Sequence, residues 1–266
     1  ISYDEVNTGH LTVYLPENKN NTEISVTVPG LNDGNPITKS GETISTTTLN
    51  EIAMFYGDTF CSHEHYNADG FCEACGAYQE AKNWKGYYEK YNAGQLFWFA
   101  GLVNGTLDGV KQNKLANAVL TANITVNENL LDSLQYDTEG NVSNGSDFIT
   151  WTPIADWMGN RTTQYSGTFD GNNKTVSGLY FNGDSTCIGL FGSSESDGNI
   201  KNVGVVDSYF KGNDRVGGVC GNNAGTITNC YNAGNLTAIE SSATIGGICG
   251  YNNGGTVTNC YNTGTV

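Results

Sequence analysis

Residues 61–76, CSHEHYNADGFCEACG, bring three thiols and two imidazoles together within sixteen positions. Structural zinc takes four nitrogen or sulfur ligands in a closed tetrahedron, and a C-x-x-C-G turn presents two sulfurs to one ion. Cys72 and Cys75 supply that pair, and Gly76 follows where a positive φ lets the backbone amides turn back toward sulfur. Cys61 and His63 complete the set, with His65 as the alternative to His63. Four protein ligands leave no position for a catalytic water. The expected Zn2+ is therefore a staple for a segment too short to build its own core. Two other readings stand beside it: a Cys72–Cys75 disulfide that leaves Cys61 odd, and histidines that are solvated loop residues. A redox C-x-x-C requires a βαβ context that is missing here.

Acid–base chemistry has thinner support. Asp156, Arg161, Asp170, Lys174, Lys201, Asp207, Lys211 and Arg215 are the candidates for a polysaccharide lyase or glycosidase, the alternative function. Glycoside hydrolysis needs two carboxylates within about 5–10 Å, and no pair recurs at a spacing that would align it. Asp170-Gly-Asn-Asn173 reads instead as a turn whose Asp bonds its own backbone. A formal charge of −15, from 12 Lys and Arg against 27 Asp and Glu, argues against nucleic acid and against an anionic membrane surface. No run of about 18 apolar residues is present to span a bilayer.

The elements that must position these groups come from a repeat. Residues 216–234, VGGVCGNNAGTITNCYNAG, return as IGGICGYNNGGTVTNCYNTG at 245–264, with Cys220 and Cys249 29 residues apart and Cys230 and Cys260 30 apart. A fainter copy joins Ile188-Gly-Leu-Phe-Gly192 to Gly198-Asn-Ile-Lys-Asn-Val203. Repeats of this length, built from short β-branched runs and Gly/Asn corners, indicate a solenoid in which each copy is one coil. Ile227 and Cys230 are three positions apart, so both point inward only if the chain turns a corner between them. Cys187, Cys220, Cys230, Cys249 and Cys260 lie in these coils. Stacking at about 4.8 Å would allow vertical disulfides, and free thiols buried as small apolar groups are the favoured reading.

The two late segments resemble the GLUG motif of bacterial surface proteins, which also occurs in the non-catalytic part of large secreted immunoglobulin-A peptidases. WTPIADW, YSGTFDGNNKTVSGLYF and GNIKNVGV resemble the leader that precedes those repeats, so the likeness spans roughly residues 87–266. The Cys/His run is similar to a short zinc knuckle of surface proteins in related bacteria. The resemblance implies an all-β, right-handed parallel β-helix displayed outside a bacterial cell, as a monomeric part of a longer secreted or wall-attached chain. Peptidase chemistry does not carry over. It needs an HExxH helix, and His63-Glu-His65 has the wrong spacing with no later His in the chain.

Three parts follow: a β-rich segment at 1–58, a Cys/His module at 59–80, and the β-helix at 81–266. Leu11–Leu15, Ile24–Val28 and Glu42–Thr48 have strand-like patterns. Asn92-Ala-Gly-Gln95 opens a helix with an N-cap and a capping-box partner, and Leu96, Phe99, Ala100 and Val103 form its packing face over the solenoid's open end. The expected role is a non-catalytic, adhesin-like scaffold for a host glycan or protein. The candidate contact strip is Tyr231 and Tyr261, with Trp151 and Trp157. A Tyr ladder that only supports the edge of the coil is the competing reading.

Overall fold

The computed structural model describes residues 24–26, 37–39, 65–73, 75–157 and 163–266. Two compact units are present, Ile1–His65 with Cys72–Ala77, and Tyr66–Phe71 with Tyr78–Val266. In the first, β1 (Ile24–Val26) pairs antiparallel with β2 (Ile37–Lys39), Val26 opposite Ile37. β1 falls within the expected Ile24–Val28 run, whereas β2 is too short to show a period. Leu11–Leu15 and Glu42–Thr48 lie outside the described residues.

The second unit is predominantly β. A hairpin, β3 (Asn83–Trp84) and β4 (Tyr87–Lys90), leads into helix α1 (Ala93–Asn104). β5 (Asn117–Leu120), β6 (Ile124–Thr125), the short helix α2 (Leu130–Ser133) and β7 (Thr168–Ser177) follow. Then come β8 (Tyr180–Asn182), β9 (Thr186–Ile188), β10 (Phe191–Ser194), the 14-residue β11 (Asn199–Gly212) and β12 (Asp214–Gly217). The repeat region closes with β13 (Cys220–Asn223), β14 (Thr226–Thr228), β15 (Tyr231–Ala238), β16 (Ile245–Gly246), β17 (Cys249–Asn252), β18 (Thr256–Thr258) and β19 (Tyr261–Asn262).

These strands form three ladders. β9, β12 and β16 make one, β10, β13 and β17 a second, and the third runs β3-β4-β5-β7-β11-β14-β18, with β6, β8, β15 and β19 beside it. β3 and β4 are antiparallel, and every pairing between later named strands is parallel. The largest sheet is thus mixed, and none closes on itself. The two late repeats lie side by side in register, Cys220 against Cys249, Ile227 against Val257 and Tyr231 against Tyr261.

Inward columns of like residues build the core: Phe169–Ile200–Ile227, Ile188–Val216–Ile245 and Phe181–Phe210–Leu236. Parallel in-register pairing places equivalent side chains one above another, which is how a short repeat buries an apolar face it could not cover alone. Ile227 and Cys230 are both fully buried. The corner between them is Asn229, whose φ of 55° turns the chain and resets its parity.

Helix α1 departs from the expected one-sided cap. The Asn92 side chain accepts from Gln95 N–H at 2.9 Å, but Gln95 Oε1 accepts from the Tyr91 N–H at 3.1 Å, one residue earlier than a capping box. All twelve helical residues are buried, as an apolar helix with no wet face requires. Phe97 meets Trp151, Tyr78 and Phe71, while Phe99 meets Tyr165, Phe169 and Tyr88. Gly94 lies against the Gly70 carbonyl, where any Cβ would collide.

Lys90 is the unexpected member of this core. It is fully buried on β4, its Nζ 3.8 Å over the Phe99 ring and donating to the Tyr88 carbonyl at 2.7 Å. Burial holds its amine well below the usual lysine range. A folded-state value below the unfolded one, about 10.4, means that this group's stability contribution is complete above that pH and is lost as pH falls toward the folded value. Lys90→Met should therefore raise the unfolding free energy at pH 7 by at least about 1 kcal/mol. Chemical denaturation across pH checks this: the gain over the native chain should narrow as pH rises toward about 10.4, and an equal gain at every pH would rule out the charge as its source.

Candidate functional site

The repeat's Asn residues do more than punctuate turns. At the outer corner, Asn259 Nδ2 donates to Asn229 Oδ1 at 3.3 Å, Asn229 to Asn202 at 3.1 Å, and Asn202 to Asp170 Oδ1 at 3.0 Å. All three asparagines are left-handed, with φ of 53–55°. The column ends on a carboxylate that also pairs with Lys201 at 3.2 Å and accepts from the Asn172 N–H at 2.8 Å, the expected Asp turn. Burial pushes the Asp170 carboxyl up, but the Asn202, Asn172 and Lys201 bonds outweigh it and leave it below the usual range.

Two further columns lie at inner corners. Asn232 Nδ2 donates to Asn262 Oδ1 at 2.7 Å, and Asn223 Nδ2 to Asn252 Oδ1 at 2.9 Å. Asn232 also closes a turn onto Gly234, accepting its N–H and donating to its carbonyl, and Asn262 Nδ2 bonds Gly264 in the same way. A Cβ at Gly218 or Gly247 would strike those amides, which explains why both repeats pair G-G with Y-N-x-G.

Five of the charged candidates for catalysis, Asp170, Lys201, Asp207, Lys211 and Arg215, are engaged structurally. Asp207 accepts from the N–H groups of Leu130 and Leu131, both at 2.9 Å, and so holds α2. Lys211 donates to Asn141 at 3.0 Å, and Arg215 lies 3.5 Å from Asp214 and 5.0 Å over the Tyr251 ring. Asp156 is fully buried, and Arg161 lies outside the described residues. The 127–150 insertion is an anchored lobe, because Leu130 packs with Tyr180 and Tyr209, and Leu131, Leu134, Val142 and Phe148 close around them.

The aromatic strip is half what the spacing suggests. Tyr231 and Tyr261 stack with centroids 5.2 Å apart and planes 3° from parallel, Tyr231 over Gly204 of the preceding strand and Tyr261 57% exposed. Trp151 does not join them. It is fully buried against Phe97, its Nε1 donating to the Gly189 carbonyl at 3.1 Å, so its ring is core and no contact surface. Trp157 is half-buried.

In the Cys/His run, Cys61 and His63 lie outside the described residues. His65 is exposed, Cys72 buried and Cys75 half-buried. Gly76 takes the expected positive φ, 73°, with its N–H on the Cys72 carbonyl at 2.8 Å, while Cys72 N–H returns to Ala77 at 2.8 Å. Among the described residues no group of three or more metal-capable side chains converges.

Cys187, Cys220, Cys230, Cys249 and Cys260 are free thiols. Burial pushes Cys187 and Cys249 up to about 11 and Cys230 up to about 12, so these groups stay protonated and behave as small apolar side chains.

Residues 241–266 match the family model of the GLUG motif. The chain is also 35% identical over 89 residues to halomucin of Haloquadratum walsbyi, a stretch that is 32% of this chain and 1% of that protein. No solved structure matches significantly. Among the described residues no helix is long and apolar enough to cross a membrane.

Proposed function

We propose that this chain is a non-catalytic scaffold of a larger, extracellular bacterial surface protein. Its ladders are the faces of a right-handed parallel β-helix, and the Tyr231–Tyr261 strip contacts a host glycan or protein. The observation that carries this reading is the in-register stacking of the repeats, Cys220 on Cys249 and Tyr231 on Tyr261. Such stacking builds a long outer surface in place of an enclosed pocket. The GLUG match and the similarity to halomucin support display at a cell surface. The structural employment of Asp170, Asp207, Lys211 and Arg215 favours the scaffold over a lyase or glycosidase. On a glycan array, the full chain should bind at least one ligand, and Tyr231→Ala with Tyr261→Ala should weaken it about tenfold or more. Unchanged binding by that double variant removes the strip from the account.

The same proposal includes one structural Zn2+ held by Cys61, His63, Cys72 and Cys75, with His65 able to replace His63. The Gly76 turn supports it, since it presents both members of a C-x-x-C-G pair at one bend. Metal analysis of protein purified without added zinc should give about one equivalent. Chelation should lower the thermal midpoint, and below half an equivalent with no thermal effect the staple is absent.

A further inference from the structure

At the opposite end of the large sheet from the last repeat lies a second aromatic surface. Trp84 is 63% exposed, the most exposed aromatic among the described residues, and its cross-strand partner Tyr87 is 37% exposed. They flank the turn Lys85-Gly86, whose φ values of 50° and 86° fit the two-residue hairpin with both central residues left-handed. Gly86 N–H donates to Asn83 Oδ1 at 3.2 Å, closing the turn. Directly opposed residues on a strand pair point to one face with Cβ atoms about 4.5–5.5 Å apart, and the Lys85 Nζ lies 5.8 Å over the Trp84 ring. Inward neighbours secure the hairpin: Tyr88 packs on Trp98, and Lys90 is sealed under Phe99. Exposed apolar surface rigidly mounted in this way marks a site of interaction.

An uncharged polar row continues from these rings. Tyr87 pairs with Asn117, whose Oδ1 accepts from the Thr168 N–H at 2.8 Å. Thr168 pairs with Asn199, Asn199 with Thr226, and Thr226 with Thr256. The row is outward, since the residues one position on, Ala118, Phe169, Ile200 and Ile227, are fully buried. Five strand spacings of about 4.8 Å give a track of roughly 24 Å. Its neighbouring row runs Glu89–Val119–Asp170–Lys201, and of its charges Asp170 and Lys201 neutralise each other at 3.2 Å.

We propose that this face binds a neutral, linear polysaccharide. The C–H faces of its sugar rings stack on Trp84 and Tyr87, and its hydroxyls hydrogen-bond along the Asn/Thr row. Charge decides the class: the Asn/Thr row itself is uncharged, the Lys85 ammonium over the Trp84 ring and the Glu89 carboxylate beside Tyr87 are opposite in sign, and a chain of net charge −15 repels sulfated or carboxylated polymers. This surface is separate from the Tyr231–Tyr261 strip and does not depend on it.

Affinity electrophoresis of the full chain tests this in gels containing hydroxyethyl cellulose, galactomannan or dextran, with dextran sulfate as the polyanion. Retardation is expected in at least one neutral gel. It should weaken tenfold or more in Trp84→Ala with Tyr87→Ala, and persist in Tyr231→Ala with Tyr261→Ala. Circular dichroism should show the exposed Trp84/Tyr87 variant folded. If it is not, quenching of Trp84 emission by acrylamide, taken as the native signal minus that of Trp84→Phe, should fall on adding the retarding polymer. The proposal is overturned by no retardation in neutral gels, by retardation only in dextran sulfate, by retardation that survives loss of Trp84 and Tyr87, or by an unprotected Trp84. Retardation lost only with Tyr231 and Tyr261 also overturns it and leaves the strip reading standing.

Discussion

A strand that must turn sharply after three or four residues leaves polar backbone at each corner, and asparagine side chains answer that need throughout the repeat region. Each amide has two tasks. It satisfies the turn, as Asn232 does against Gly234, and it bonds the equivalent amide of the next repeat, as Asn232 does to Asn262 at 2.7 Å. At the outer corner the task is conformational as well, because Asn tolerates the left-handed region at modest cost. A buried amide missing one partner costs about 1–3 kcal/mol, so the columns through the buried Asn223 and Asn232 constrain register alongside the apolar core.

Much else follows from those columns. Once the corners align, apolar residues must stack on their equivalents, and the spaces beneath the amides admit only glycine at Gly218 and Gly247. The core is correspondingly narrow and repetitive. Its first layer is different: α1 is buried on all sides and Trp151 is drawn inward to meet it.

The sequence carried the repeat, its register and the corner between Ile227 and Cys230, since periodic apolar spacing with a parity break leaves few alternatives. The Asp170 turn and the Gly76 turn were legible for the same reason, each depending on local chemistry within four residues. What periodicity could not reveal was long-range placement. Trp151 is core because a helix fifty residues earlier reaches it, and Lys90 is buried although its residue type favours solvent. The Trp84–Tyr87 platform had a local signal, two aromatics flanking a Lys-Gly turn, that the repeat overshadowed. Leu130, Leu134 and Phe148 lie among the Asn, Asp, Glu and Ser of residues 127–150, and their packing on Tyr180 and Tyr209 depends on contacts far along the chain.

Pairing between repeats is the claim most open to direct measurement. Isotope-labelled protein in solution should show nuclear Overhauser contacts between Hα and amide protons of residues about thirty apart, linking Thr226 with Thr256, Cys220 with Cys249 and Val216 with Ile245, in the staggered pattern of parallel strands. Close Hα–Hα contacts across those pairs, the mark of antiparallel strands, or no contacts between the two segments, would contradict the account.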